Sequence, residues 1–182
     1  MWQFFGIAVA RHVFHAPDEK SPLFAAGAEW GGLCFAAYNV VCFVIAFLLP
    51  SLTKATSRKT VHTIALVCGG IGLISVYFIA SKWLLFASMA GVGIAWASTL
   101  SMPYAVLAAS IPPARTGVYM GIFNFFIVTP EILASLFFGW VMIHLLGNNR
   151  IYAIIADGVF LVIAAVLMQR VRDPQTLSVQ DA

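Results

Sequence analysis

Long apolar runs, separated by short segments rich in proline and polar residues, repeat along this chain. A helix needs about 20 apolar residues to cross the hydrocarbon core of a bilayer, and five runs approach or exceed that length: residues 23–49, 61–80, 83–109, 117–145 and 151–168. A sixth run, residues 1–14, is too short for a full span. The pattern predicts an all-α polytopic membrane protein, with five full transmembrane helices and one truncated N-terminal helix over residues 1–168, followed by a polar tail over residues 169–182.

The segment between the first two full runs, residues 51–60, is the most basic part of the chain. It contains Lys54, Arg58 and Lys59 and no acidic residue, and Pro50 just before it is predicted to end the preceding helix. Lys and Arg accumulate in the cytoplasmic loops of membrane proteins. We therefore expect this segment to face the cytoplasm, and alternation of the helices then puts the C-terminus on the cytoplasmic side of the cell membrane as well.

Composition strengthens the membrane assignment and removes several other classes. Of the 182 residues, 62% are hydrophobic and 9% are charged, whereas about 25% of the residues of a soluble domain are charged. The net charge is +3, but the basic residues do not form a continuous stripe, so no nucleic-acid partner is predicted. The three cysteines lie within apolar runs, and CxxC and HExxH pairs are absent from the sequence. We therefore expect no disulfide, no metal site, no cofactor and no metal-dependent enzyme.

One carboxyl group lies near the middle of an apolar run, where lipid would make it costly. Glu131 follows Pro130 in the fourth full run, and an ionised carboxylate at the bilayer centre costs about 2.5 kcal/mol or more. It is therefore either protonated or next to a cavity or partner, and each alternative favours a functional role. Helical spacing puts it on one face with the small and polar residues Gly117, Gly121, Asn124, Val128 and Ser135.

Each of several other polar and aromatic residues inside the runs has two possible roles. Asn39 and Asn124 either hydrogen-bond across helices or contact a solute. Trp96 is either a core or interface residue or, together with Ser98 and Ser101, part of a surface that stacks on a sugar ring. The residues that we predict to contact a substrate are Asn39, Trp96, Ser98, Ser101, Asn124 and Glu131.

Two further acids and one histidine lie closer to the ends of their runs. Glu29 suits an interfacial position at least as well as a cavity position, Asp157 is assigned to the membrane rim or to packing, and His62 is expected to be solvated. Helices approach closely at GxxxG pairs. Such pairs occur at Gly27 with Gly31 and at Gly117 with Gly121.

Three stretches of the sequence carry a family likeness. They are EWGGLCFAAYNVVCF at residues 29–43, GIAWASTLSMPYAVLA at residues 93–108 and GVYMGIFNFFIVTPEI at residues 117–132. Together with the six-segment plan, they resemble the C-terminal half, spans seven to twelve, of a major facilitator superfamily transporter. The resemblance is to the sugar:cation symporter branch of sucrose and maltose carriers, and PYA and GxYMGxxNxxIVxP are its most specific elements.

The resemblance implies proton-coupled symport of a disaccharide such as maltose or sucrose, by rocking of two six-helix halves. The partners would then be the sugar, the coupling proton, the lipid bilayer and an N-terminal half that this chain lacks. Because the main coupling carboxylate of such carriers lies in that half, the chain alone is not expected to transport. Pro50 and Lys54 depart from the cytoplasmic GxLADRxGRR signature, and Glu131 stands where the branch usually has glutamine.

Two other functions stay open. One is symport of another polar solute, such as a glucuronide or a nucleoside; no Arg or Lys lies deep in a run, which favours neutral sugars. The other is a non-transporting, half-size membrane protein with a structural or regulatory role. The short first run counts against that alternative.

Overall fold

The computed structural model describes residues 2–171, and helices are the regular structure found in that part of the chain. The N-terminal segment contains a short helix α1 (Phe5–Ala8) that continues as a π-helical turn, Val9–Val13. Five long helices follow: α2 (Pro22–Ala55), α3 (Arg58–Ser75), α4 (Leu84–Ser110), α5 (Thr116–His144) and α6 (Arg150–Met168). All five are long and apolar enough to cross a membrane. The predicted all-α polytopic fold is therefore confirmed; the tail lies outside the described residues from residue 172 onward.

The prediction that Pro50 ends its helix is wrong. α2 continues through Pro50 to Ala55, because a proline inside a spanning helix removes one backbone hydrogen bond without forcing the helix to stop. Thr53 Oγ1 donates a 3.1 Å hydrogen bond to the Pro50 carbonyl oxygen. α3 then begins at Arg58, after Ser57 has capped it by accepting a 3.1 Å hydrogen bond from the Thr60 amide. The basic residues therefore lie on the ends of helices and not in a long loop.

Helix α3 is the centre of the bundle, and glycines let its two neighbours approach it. A Cβ atom added at Gly72 would lie 2.5 Å from the Ser88 carbonyl oxygen of α4. One added at Gly70 would lie 2.8 Å from the Gly158 carbonyl oxygen of α6. Ser88 Oγ also donates a 2.6 Å hydrogen bond to the Gly72 carbonyl oxygen. These close backbone contacts fix the positions of α4 and α6.

The N-terminal segment packs on α2 through the first GxxxG pair. A Cβ atom at Gly27 would lie 2.5 Å from Ala10 Cα, and one at Gly31 would lie 3.0 Å from Gly6 Cα. This pair therefore serves helix packing. The second pair does not serve helix packing in the described structure, because no neighbouring atom lies within 4 Å of an added Cβ atom at Gly117 or Gly121.

Helix α5 stands at the edge of the bundle. Met142 is its one buried residue. It contacts α4 through Tyr104, whose hydroxyl group donates a 2.8 Å hydrogen bond to Asn124 Oδ1, and it contacts the N-terminal segment where the Phe138 and Phe4 rings lie 5.3 Å apart. Most of the surface of α5 is therefore left uncovered by the rest of the described structure.

The two ends of the bundle differ in charge. Arg58 Nη1 donates to the Ala105 carbonyl oxygen at 3.3 Å, and Lys59 Nζ donates to the Gln169 carbonyl oxygen at 2.6 Å. The start of α3 and the ends of α4 and α6 therefore share one end, which we name the basic end. Within residues 2–171 it carries only cations, namely Lys54, Arg58, Lys59, Arg115 and Arg170, whereas the other end mixes both signs in Arg11, Asp18, Glu19, Lys20, Lys82 and Arg150.

Candidate functional site

A cavity of about 510 Å³ lies between the N-terminal segment, α5 and α6. Glu131 of α5 and Asp157 of α6 both line it, and we name it the acidic cavity. The remaining lining residues combine aromatic, amide and hydroxyl groups with small residues: Trp2, Gln3, Phe4, Ala134, Ser135, Phe138 and Gly139. Two carboxyl groups from different helices therefore face one space.

A second cavity of about 300 Å³ adjoins the first and extends toward α4. Trp96 and Thr99 line it, and Trp2 and Asp157 line both cavities. The Trp2 ring lies 5.1 Å from the Trp96 ring and 5.1 Å from the Tyr38 ring, centroid to centroid. We name this smaller space the aromatic cavity. Its walls provide flat apolar surfaces beside the carboxyl group of Asp157.

Local backbone features position the two acids. Pro130 has no amide hydrogen, so α5 lacks one internal hydrogen bond directly before Glu131. One turn later, Ser135 Oγ donates a 2.9 Å hydrogen bond to the Glu131 carbonyl oxygen. Asp157 precedes Gly158, the residue at which α6 touches Gly70 of α3. The depth of Asp157 in the bundle is thus set by a glycine contact on the neighbouring residue.

Ser98, one of the predicted substrate contacts, lies in the helix interface. It is fully buried, and its hydroxyl group shares a 2.8 Å hydrogen bond with Nδ1 of His62, which is also buried. The prediction that His62 is solvated is wrong, because α3 begins at Arg58 and His62 lies a full turn inside it, facing α4. Ser98 and His62 therefore form a polar link between α3 and α4.

Three more predicted contacts lie away from the acidic cavity. The Asn39 side chain is exposed on α2 and donates a 2.7 Å hydrogen bond to the Phe35 carbonyl oxygen. Ser101 donates to the Ala97 carbonyl oxygen at 2.7 Å and lines a separate cavity between α2 and α4. Asn124 is held by Tyr104, as described above. Of the six predicted residues, the structure brings Glu131 and Trp96 to adjoining cavities and leaves the other four elsewhere.

Replacing Ser98 by alanine tests the polar link. We expect Ser98→Ala to lower the free energy of unfolding by about 1–2 kcal/mol, because it leaves the buried His62 nitrogen without its partner. Ser110→Ala is the matched control, since that hydroxyl group bonds only the Val106 carbonyl oxygen of its own helix. Detergent-induced unfolding in mixed micelles measures both. Equal stability of the two variants would contradict the assignment of Ser98 to packing.

Asp157, Trp2 and Gln3 line these cavities but are not among the predicted substrate contacts. Asp157 was assigned to the rim or to packing, but it lines both cavities. Trp2 and Gln3 belong to the short first run, which gave no indication of a site. The sequence did contain one indication of Asp157, namely its carboxyl group, since an acid in an apolar helix indicates a functional position by default.

The side chains of the two cavities suit a neutral polyol. Carboxylate and amide oxygens accept hydrogen bonds from hydroxyl groups, and the Gln3 amide can also donate. Aromatic faces cover the apolar side of a ring-shaped ligand. The residues that line the two cavities include no Lys, Arg or His, so there is no counter-charge for an anion. Within residues 2–171, no group of three or more His, Cys, Asp or Glu side chains could hold a metal ion.

Comparison with curated proteins supplies one relative with a stated activity. The chain is 29% identical over 119 residues to the general alpha-glucoside permease of Schizosaccharomyces pombe, an alignment that covers 57% of this chain and 22% of the permease. The chain thus spans about a fifth of the length of that relative. No protein-family profile matches the chain, and no solved structure matches it. The five apolar helices are those of a multi-pass membrane protein, and the stated activity of the relative is that of a permease.

Proposed function

We propose that this chain forms the C-terminal half of a sugar carrier of the major facilitator superfamily, which moves a disaccharide such as maltose or sucrose across the cell membrane by proton symport. The observation that carries the proposal is the pair of adjoining cavities: Glu131, Asp157 and Trp2 line the first, and Asp157, Trp2 and Trp96 line the second. The similarity to an alpha-glucoside permease supports a sugar as the substrate.

The substrate would lie across both cavities. Their volumes of about 510 Å³ and 300 Å³ fall in the range of about 300–1,000 Å³ that is usual for small-molecule sites. In this arrangement Glu131, Asp157 and Gln3 accept hydrogen bonds from sugar hydroxyl groups, and one sugar ring packs against the contacting pair Trp2 and Trp96. Asn124, fixed by Tyr104, would extend the polar face of α5 toward the basic end.

The other half of the carrier would complete the opposite wall. Helix α5 leaves most of its surface uncovered, and a second helical bundle packed there would close the open side of the acidic cavity. Alternating access would then follow from rocking of the two bundles about the site. The excess of Lys and Arg at the basic end favours an orientation with that end, and with it the C-terminus, in the cytoplasm.

Uptake by cells that express the complete reading frame tests this function. We expect labelled maltose or sucrose to accumulate and a protonophore to abolish the accumulation, because the proton gradient would supply the driving force. Labelled glucuronide should not accumulate, because none of the described residues that line the two cavities is a cation. Uptake that is indifferent to the protonophore would contradict symport, and no uptake above that of cells without the gene would favour a non-transporting membrane protein.

The DNA upstream of Met1 tests the proposed half-carrier independently. We expect an in-frame continuation that codes for about six further spanning helices. A stop codon and a ribosome-binding site directly before Met1 would contradict it.

A further inference from the structure

A third cavity lies at the basic end, between α2 and α4, and its volume is about 410 Å³. Apolar and small residues form most of its walls, and Leu49, Ala97 and Met102 belong to one buried cluster at its base. Among the described residues that line it, Arg58 is the one that carries a charge. We name this cavity the basic groove. It shares no lining residue with the acidic cavity or the aromatic cavity.

Arg58 is fixed at the mouth of the basic groove. It is the first residue of α3, and one guanidinium nitrogen donates a 3.3 Å hydrogen bond to the Ala105 carbonyl oxygen of α4. A guanidinium group has five N–H donors in a planar fork that suits phosphate. The positive end of the α3 helix dipole lies at the same place. The mouth is therefore suited to an anion, and Lys54 on the last turn of α2 adds a further cation nearby.

The length of the groove matches one leaflet of a bilayer. Along α2 its lining extends from Thr53 to Cys42, which corresponds to roughly 16 Å at the rise of an α-helix. Half of the hydrocarbon core of a bilayer is about 15 Å thick. An acyl chain whose headgroup lies at Arg58 would therefore run along the groove to about the middle of the membrane.

We propose that the basic groove binds one anionic phospholipid, with its phosphate on Arg58 and an acyl chain between α2 and α4. Five cations and no acid within residues 2–171 lie at this end of the bundle, which raises the local concentration of anionic lipid. A zwitterionic lipid also has a phosphate, but its cationic headgroup would face Lys54 and Arg58. The site is independent of sugar transport, since it requires only α2, α3 and α4.

Retention of lipid by the purified 182-residue chain tests the proposal. Native mass spectrometry in detergent counts the lipids that stay bound after addition of phosphatidylglycerol or phosphatidylcholine. We expect preferential retention of one phosphatidylglycerol, and we expect Arg58→Gln to reduce that retention about fivefold. Arg115→Gln is the matched control, because Arg115 lies at the same end of the bundle but does not line the groove. Equal losses in the two variants would overturn the proposal, since general surface charge would then hold the lipid.

A second variant tests the acyl chain without changing charge. Ala46 lines the groove and is exposed, so Ala46→Phe fills the space without disturbing the core. We expect it to reduce phosphatidylglycerol retention at least as much as Arg58→Gln does, whereas Ala36→Phe, on the same helix outside the groove, has no effect. Retention unchanged by Ala46→Phe would overturn the proposal. Equal retention of phosphatidylcholine would also overturn it, because the site would then not select an anionic lipid. Displacement of the lipid by inorganic phosphate would overturn it too, because the site would then bind free phosphate.

Discussion

Sugar uptake should fall about tenfold when Glu131 is replaced by glutamine in the complete carrier, because the amide nitrogen takes the place of one acceptor oxygen and a lost hydrogen bond to the sugar costs about 1–1.5 kcal/mol. The amide keeps the shape and most of the hydrogen-bonding capacity of the side chain, so folding should be unaffected. The amide cannot bind or release a proton, and the dependence of uptake on pH should therefore differ from that of the unchanged carrier. Labelled-sugar uptake across a pH series, normalised to the amount of protein in the membrane, measures both effects.

Glu29→Gln is the matched control for that variant. It makes the same chemical change on an exposed residue of α2 that lines none of the three cavities described above. We expect its uptake and pH profile to equal those of the unchanged protein. If Glu131→Gln also leaves the pH profile unchanged, Glu131 serves packing and is not part of the transport site.

Substitution of the glycines of α3 is expected to lower the stability of the protein strongly. Gly72→Ala is expected to lower the free energy of unfolding by about 2–3 kcal/mol, because overpacking a close interface forces the backbone to shift. The added Cβ atom would meet the Ser88 carbonyl oxygen at 2.5 Å. Because that atom is backbone, rotation of a side chain cannot relieve the clash. The hydrogen bond from Ser88 Oγ to the Gly72 carbonyl oxygen would be disturbed at the same time.

Gly121→Ala, in α5, makes the same substitution in open space. Nothing lies within 4 Å of its added Cβ atom in the described structure, so the higher helix propensity of alanine should leave stability unchanged or raise it by up to about 1 kcal/mol. Detergent-induced unfolding of both variants measures the difference. If the two changes had the same effect on unfolding, the close approach of α3 and α4 would be wrong.

The predicted and observed helices differ most where proline was read as a stop. α4 was predicted at residues 83–109 and is observed at Leu84–Ser110, because its ends coincide with a change from apolar to polar or proline-containing sequence. α2 was predicted to end before Pro50 but continues to Ala55. A proline in an apolar sequence either ends the helix or is accommodated within it, and the local sequence does not distinguish these two outcomes.

The candidate site was predicted only in part for a different reason. Helical periodicity states which residues share a face of one helix, but not which faces of two helices meet. Glu131 was found because an acid is costly in an apolar run. Its neighbour in the same cavity, Asp157, was assigned to the rim or to packing, because its depth depends on the contact between Gly158 and Gly70. Trp2 reaches the site only because the short first run packs on Gly27 and Gly31.

The sequence by itself determined the class of the protein, the number of full spanning helices, the charge difference between the loops and the presence of a costly carboxyl group. These are local quantities, set by the solubility of side chains in lipid and water. Only the tertiary structure decided that Glu131 and Trp96 belong to adjoining cavities, that Ser98 bonds His62, and that Arg58 lies at the mouth of an apolar groove. These are pairings between helices, and the periodicity of one helix does not specify which face of another helix it meets.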